Sequence, residues 1–459
     1  MKNAIVVVVV VVFTIFYFQK DDDYTPIIPN IKQRTLVGGE TTMFESGFFA
    51  FDNPAPNLGA RNLELHLAGD AQFGAAFVTS PAPINSGSGP QFNNTSCIRC
   101  HPKDGRTAFP DNINDVSGFF LRTSLPGTDD CNGPKPVPGF GMQLQNQANY
   151  GVEPEVQFGV TYQDIPVTFA DGTIVTLRKP TYYIADSYIP FPSNAMLSPR
   201  LGPPVFGLGL LEAITEHDIL SREDINDADG DGISGKANYV CDPVSGTTKL
   251  GRFGWKANTP SVMVQNAGAL HNDMGVTNPL FPVESSFGQT NGDNLSDDPE
   301  EDQKFLDNTN IYLLTLAVPA ARNLDDPKVT RGFYLFRDAQ CTACHTPKQV
   351  TGNYPGIPAI SNQTFFPYTD MLLHDMGEGL ADGRPDFLAD GNEWKTRPLW
   401  GIGLTDIVNG HTDFLHDGRA RNVEEAILWH GGESEKSKQF YVNLNKEDRE
   451  ALLAFVNAI

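Results

Sequence analysis

Cys97-Ile-Arg-Cys100-His101 and Cys341-Thr-Ala-Cys344-His345 are the two stretches on which the reading of this chain turns. In each, two thiols flank a pair of residues and a histidine follows at once. That spacing suits a helical turn, from which both sulfurs can reach the two vinyl groups of one haem while the imidazole comes round to the iron. A zinc site built from the two Cys pairs is the rival. Zinc ribbons usually bring their pairs within about 20 residues of each other. Here most of the chain separates them, and each pair carries the extra histidine. Both stretches therefore read as c-type haem attachment sites, with Cys97, Cys100, Cys341 and Cys344 as covalent anchors and His101 and His345 as iron ligands.

The rest of the composition fits an exported redox protein. The 459 residues carry 33 Lys+Arg against 56 Asp+Glu, a formal net charge of -23. Such a surface repels phosphate, which argues against nucleic acid as a partner. It suits meeting basic partners such as small electron carriers; the expected partners are a small redox protein or a quinol-linked electron partner, with a small-molecule substrate. Lys2 followed by the apolar run Ala4 to Phe18 and the polar run from Gln19 to Asp23 reads as an export signal. At about 15 residues the run is shorter than the roughly 20 that span a bilayer. Cleavage and retention as a membrane anchor are both open, and the expected location is the periplasm or its face of the membrane. Cys131 and Cys241 lie outside the haem motifs, and in an oxidising compartment they form either a disulfide or two separate buried thiols.

Four segments are expected: residues 1–23 as signal or anchor, 24–90 as an N-terminal extension, 91–325 as a first haem domain with a calcium-type loop, and 326–459 as a second. Strand-like runs occur at Val156–Tyr162 and Ile174–Arg178, with helical periodicity around Leu208–Leu220 and Asp302–Leu316. Arg331–Gln340 reads as a helix delivering the chain into Cys341, and Lys446–Ala458 as a second helix packed beside it. The expected fold is mainly α with minor β, as two cytochrome c-like haem domains joined by long loops.

Three further patterns bear on chemistry. His430 ends the helix-like run Val423–Trp429 and precedes Gly431-Gly432, a placement suited to a sixth iron ligand. His374-Asp375-Met-Gly and His416-Asp417-Gly-Arg419 set histidines beside acids and glycines, fitting either groups that orient ligands or haem propionates, or ordinary capped turns. Asp227-Ala-Asp229-Gly-Asp231-Gly-Ile233 follows a calcium-loop pattern whose twelfth position is Asn238 in place of a bidentate Glu. That loop is either a calcium staple or an acidic surface turn.

The runs Asp370–Gly377, Arg397–Gly401, Leu415–Ala420 and Glu424–Gly432, with Gly251–Asn258 and Gly207–Ile214, resemble the bacterial di-haem oxidoreductases, a group labelled as peroxidases or thiol oxidoreductases. More distantly they are similar to di-haem cytochrome c peroxidases and to the di-haem enzyme that matures methylamine dehydrogenase. The resemblance implies two unlike haems, one a relay and one that meets substrate, whether peroxide or a thiol or other organic compound. In the distant relatives the relay's sixth ligand is Met or Tyr. His430 stands at the matching place, which implies bis-His ligation with His345 and a lowered potential. The resemblance further implies Glu212 as a distal acid–base group at the His101 haem, with a solvated helix Glu as the alternative. His217 could instead close that haem. Trp255 is implied as an electron bridge, or as core packing. The competing function is a non-enzymatic electron carrier with both haems six-coordinate.

Overall fold

Asp326 and Pro327 start the helix that leads into the second motif. The Asp326 side chain accepts the N–H groups of Lys328 and Val329, and proline stands where the first turn needs no donor, so Pro327–Asp338 begins sharply. Its buried face holds Val329, Gly332, Leu335 and Phe336. Asn445 caps the helix Lys446–Ala458, which buries Leu452, Phe455 and Val456 against that face. The Phe336 and Phe455 rings meet edge to face at 5.4 Å. Gly332 marks the crossing, where a Cβ would run into the backbone carbonyl of Ala451.

This computed structural model describes residues 28–459 except 293, 294, 296 and 297. The expected export segment, 1–23, lies outside the described residues. No described helix is long and apolar enough to cross a membrane.

The mainly α expectation is overturned, because 28% of the structure is helix and 21% is strand, spread over several small sheets. The two runs read as strands are the visible parts of a long antiparallel hairpin, Val156–Thr168 with Ile174–Ser187, closed at Asp171-Gly172. Phe119–Thr128 pairs antiparallel with Met196–Leu201 and also with Gln143–Leu144 and Pro134–Lys135. These strands are short and interrupted by Pro126 and Pro199, so their alternation is weak in the sequence. They enclose an apolar cluster of their own, with Phe119, Leu121, Phe140, Leu144, Phe158 and Leu201. The expected cytochrome c-like units are also not found. The helix at the first motif is only Cys97–Cys100, and residues flanking both motifs pack on one apolar cluster reaching from Ile28 to Ile459.

The remaining helices pack by close approach at glycine. Ala60–Phe73 lies on Gln303–Thr315, with Gly69 against the carbonyl of Asn308, and the same helix meets Gly209 at Leu314. The run at 208–220 is two short helices, Leu208–Glu212 and Glu216–Leu220. Cys131 and Cys241 are joined in a disulfide with their Cα atoms 6.1 Å apart.

Gly332→Ala is expected to destabilise the protein by about 1–3 kcal/mol through overpacking at the helix crossing. Its melting temperature should fall while the exposed neighbour Arg331→Ala stays close to wild type.

Candidate functional site

The helix Pro327–Asp338 ends in a turn at Gln340, whose φ is 62°, and the second motif follows directly. Cys341, Cys344 and His345 line a cavity holding about 1720 Å³ of atom-free space, part of it open to solvent. His430 lines the same cavity from the end of Val423–Trp429, a helix capped by Asn422. None of the four motif cysteines is in a disulfide.

The histidines divide by what their ring nitrogens do. His101 donates from Nδ1 to the carbonyl of Pro203 (2.7 Å), His345 to that of Tyr368 (3.0 Å), and His430 to that of Ala426 (2.7 Å). A main-chain acceptor at Nδ1 fixes the tautomer and leaves the Nε2 lone pair for a metal. Burial pulls His101 and His345 down to about 4 and lowers His430 as well, so all three are neutral imidazoles. The other six histidines lack this arrangement. His217, for example, is exposed on its short helix, and His66 uses Nδ1 on the Thr315 hydroxyl.

The first motif is held differently. Beyond His101 the chain turns back, and the Asp104 N–H donates to the His101 carbonyl. The Asp104 side chain is buried and accepts from the Tyr312 hydroxyl at 2.8 Å. Phe73 packs between the Tyr312 and His101 rings, 5.2 and 6.3 Å away.

The His–Asp groups expected around the ligands are self-contained. His374 lies between Asp370 Oδ2 (2.8 Å) and Glu433 Oε2 (2.7 Å), with Cys344 Sγ at 3.5 Å. Burial alone would lower His374, but its bonds to Asp370, Cys344 and Glu433 outweigh that and hold it well above the usual imidazole range. Burial would likewise raise Glu433, yet His374 and Ser234 hold it at about 2. The Asp375 carboxylate accepts the N–H of Gly377. Asp417 takes Arg419 Nε with both oxygens (3.0 and 2.9 Å) and the Tyr182 hydroxyl with one. His416 stacks on Trp394 at 3.8 Å and faces Arg419. His374 and His416 line the cavity, but His374 is already matched by Asp370 and Glu433, and burial among Arg419, Arg200 and Lys256 holds His416 well below the usual imidazole range.

Trp255 also lines the cavity. Its indole N–H donates to the carbonyl of Leu201 (3.1 Å), two residues before the carbonyl that holds His101. It therefore stands between the two motif segments, with the Arg106 and Arg397 guanidinium carbons 5.4 and 4.9 Å from its ring. Glu212, expected at the His101 haem, does not line this cavity of the second motif. One of its oxygens accepts the N–H of Val262 at the start of Val262–Met274, and the other accepts the Tyr354 hydroxyl, each at 2.6 Å.

The acidic loop gathers Asp224, Asp227 and Asp229 so that one carboxylate oxygen from each lies within 4.8 Å of the others. Asp231 is turned to the N–H of Ile233, and Ile233 lines the large cavity. The Asn238 amide is spent on backbone groups of Lys256, Asp386 and Leu388, so it is not a free ion ligand.

Sequence reasoning missed the cations of the cavity. Arg106, Lys395 and Arg397 line it, whereas no Asp or Glu does. Arg106 donates from Nε and Nη2 to the carbonyls of Asp413 and Leu415. Lys395 and Arg397 make no side-chain hydrogen bond or ion pair among the described residues. Burial pulls Lys395 well below the usual lysine range and Arg397 down to about 10. Their signal in the sequence is slight: two cations within the otherwise neutral run Trp394–Trp400.

Paired cysteines outside any disulfide, neutral histidines with an open Nε2, and an apolar cavity edged by cations fit a protein that holds metal–macrocycle groups. The chain belongs to the di-haem oxidoreductases: the model of that family, described as "Di-haem oxidoreductase, putative peroxidase", matches residues 32–459. Haem cofactors and peroxidase-like oxidoreductase chemistry come with that family. No curated protein and no solved structure matches the chain.

The His374 clamp generates a pH dependence. Its raised pKa contributes stability that is complete below about pH 6.5 and is lost as pH rises through the folded value. Urea unfolding at several pH values should show wild-type stability declining on the alkaline side, with His374→Gln flattening that decline. Parallel profiles would refute the clamp.

Proposed function

We propose that this chain is an exported c-type di-haem oxidoreductase that relays electrons between an external redox partner and a small substrate, either peroxide or a thiol or other organic compound. In this reading the thiols of Cys97 and Cys100, and of Cys341 and Cys344, anchor one haem each, and His101 and His345 bind the irons. His430 supplies the sixth ligand beside His345, making the second site bis-His. When bound, the haems supply one-electron chemistry and an iron that can meet peroxide. Trp255 positions an aromatic ring between the two segments. The partner is a small redox protein or a quinol-linked carrier, and Asp224, Asp227 and Asp229 hold a calcium ion as a loop staple.

The observation that carries the reading is the shared Nδ1-to-carbonyl bond of His101, His345 and His430, which prepares three Nε2 atoms for metal beside two paired-thiol segments. One observation favours the alternative, a non-enzymatic carrier. Both oxygens of Glu212, the acid–base candidate, are already engaged in structural bonds.

Mass analysis of the mature protein should give two added porphyrins, and EPR of the oxidised protein should give one high-spin and one low-spin haem. The high-spin component should react with peroxide; two low-spin haems inert to peroxide would favour the carrier. His430→Ala should convert the low-spin signal, and an unchanged signal would remove His430 as a ligand.

A further inference from the structure

The cavity beside the second motif is charged against the trend of the whole molecule. In a chain of formal net charge -23, the cavity presents Arg106, Lys395 and Arg397 and no carboxylate. Lys438 also lines it, but Lys438 is paired with Glu435. Positive groups are costly to hold in a protein interior, so a lining of this sign, facing no carboxylate, favours an anionic occupant. The His–Asp groups cannot be that site, since Asp370, Glu433 and Arg419 already satisfy them. Two of the cations meet at Trp255, and the third is tied to it through the main chain. Arg106 and Arg397 pack against its ring, and the Lys395 N–H donates to its carbonyl at 3.0 Å.

We infer that Arg106, Lys395 and Arg397 are the receptor for the two propionates of the porphyrin anchored at Cys341 and Cys344. The inference rests on the haem reading above and deepens it. It turns the carboxylate edge of that porphyrin toward Trp255 and toward the segment that bears His101, because Arg106 lies five residues beyond His101 in the same loop. It also sets the electrostatics of the site. Fixed positive charge beside the group favours its reduced form, opposing the lowering that imidazole brings in place of thioether.

The test is a spectroelectrochemical titration of the full-length holoprotein at mildly alkaline pH, where propionates are ionised. Lys395→Met and Arg397→Met should retain two porphyrins by mass and the low-spin signal. The midpoint potential of the low-spin haem should fall in each and fall further in the double variant. Lys395→Arg and Arg397→Lys should return it toward wild type. A double methionine variant with two porphyrins and an unmoved potential would overturn the assignment, and would point to a soluble anion as the occupant. Wild-type protein with fewer than two porphyrins would instead overturn the haem reading itself. Should the methionine variants fail to accumulate, propionate-bending bands in the resonance Raman spectrum of Lys395→Gln provide the same decision. Bands identical to wild type would count against the receptor.

Discussion

A hydrogen bond from one imidazole nitrogen fixes which of the two is left to meet a metal, and main-chain carbonyls supply that bond at His101, His345 and His430. The carbonyls belong to segments that must themselves be held. Pro203 follows the strand Met196–Leu201, which is paired into the four-stranded sheet, and Ala426 lies within a capped helix. The small sheets of the N-terminal half thus set the tautomer and orientation of His101. This half of the molecule is a positioning device as much as a wrapper.

Charge is the second organising constraint. Acidic groups dominate the chain, yet where they approach the cavity they are consumed in closed sets: Asp370 and Glu433 with His374, Asp417 with Arg419, and Asp382 with Lys256 and Arg200. The last of these sets lies under Trp394, with the Lys256 ammonium and the Arg200 guanidinium each 4.7 Å from its ring. Matching every carboxylate in this way leaves the cavity with a positive lining despite the acidic exterior.

What could be read from the chain without its structure follows a simple physical division. Local chemistry was legible: the thiol spacing, the helix Lys446–Ala458 with its apolar face, and the helix Val423–Trp429 leading to His430 all depend on neighbours in sequence. Features set by distant contacts were not. Strands such as Phe119–Thr128 draw their stability from partners some 70 residues away, and prolines blur their alternation. The sequence around Glu212 gives no sign of its partners, Tyr354 and the Val262 N–H, which only the fold brings to it. Lys395 and Arg397 carry no local sign of a shared site, and only the fold brings them to one cavity.

The disulfide between Cys131 and Cys241 spans 110 residues in a chain with four further cysteines outside any disulfide. An oxidant able to close that bridge can also pair Cys97 with Cys100, or Cys341 with Cys344, wherever those sulfurs are accessible as thiolates. Under the proposed haem attachment, biogenesis becomes a matter of timing, with each vicinal pair joined to its porphyrin or kept reduced while the long-range bridge is sealed.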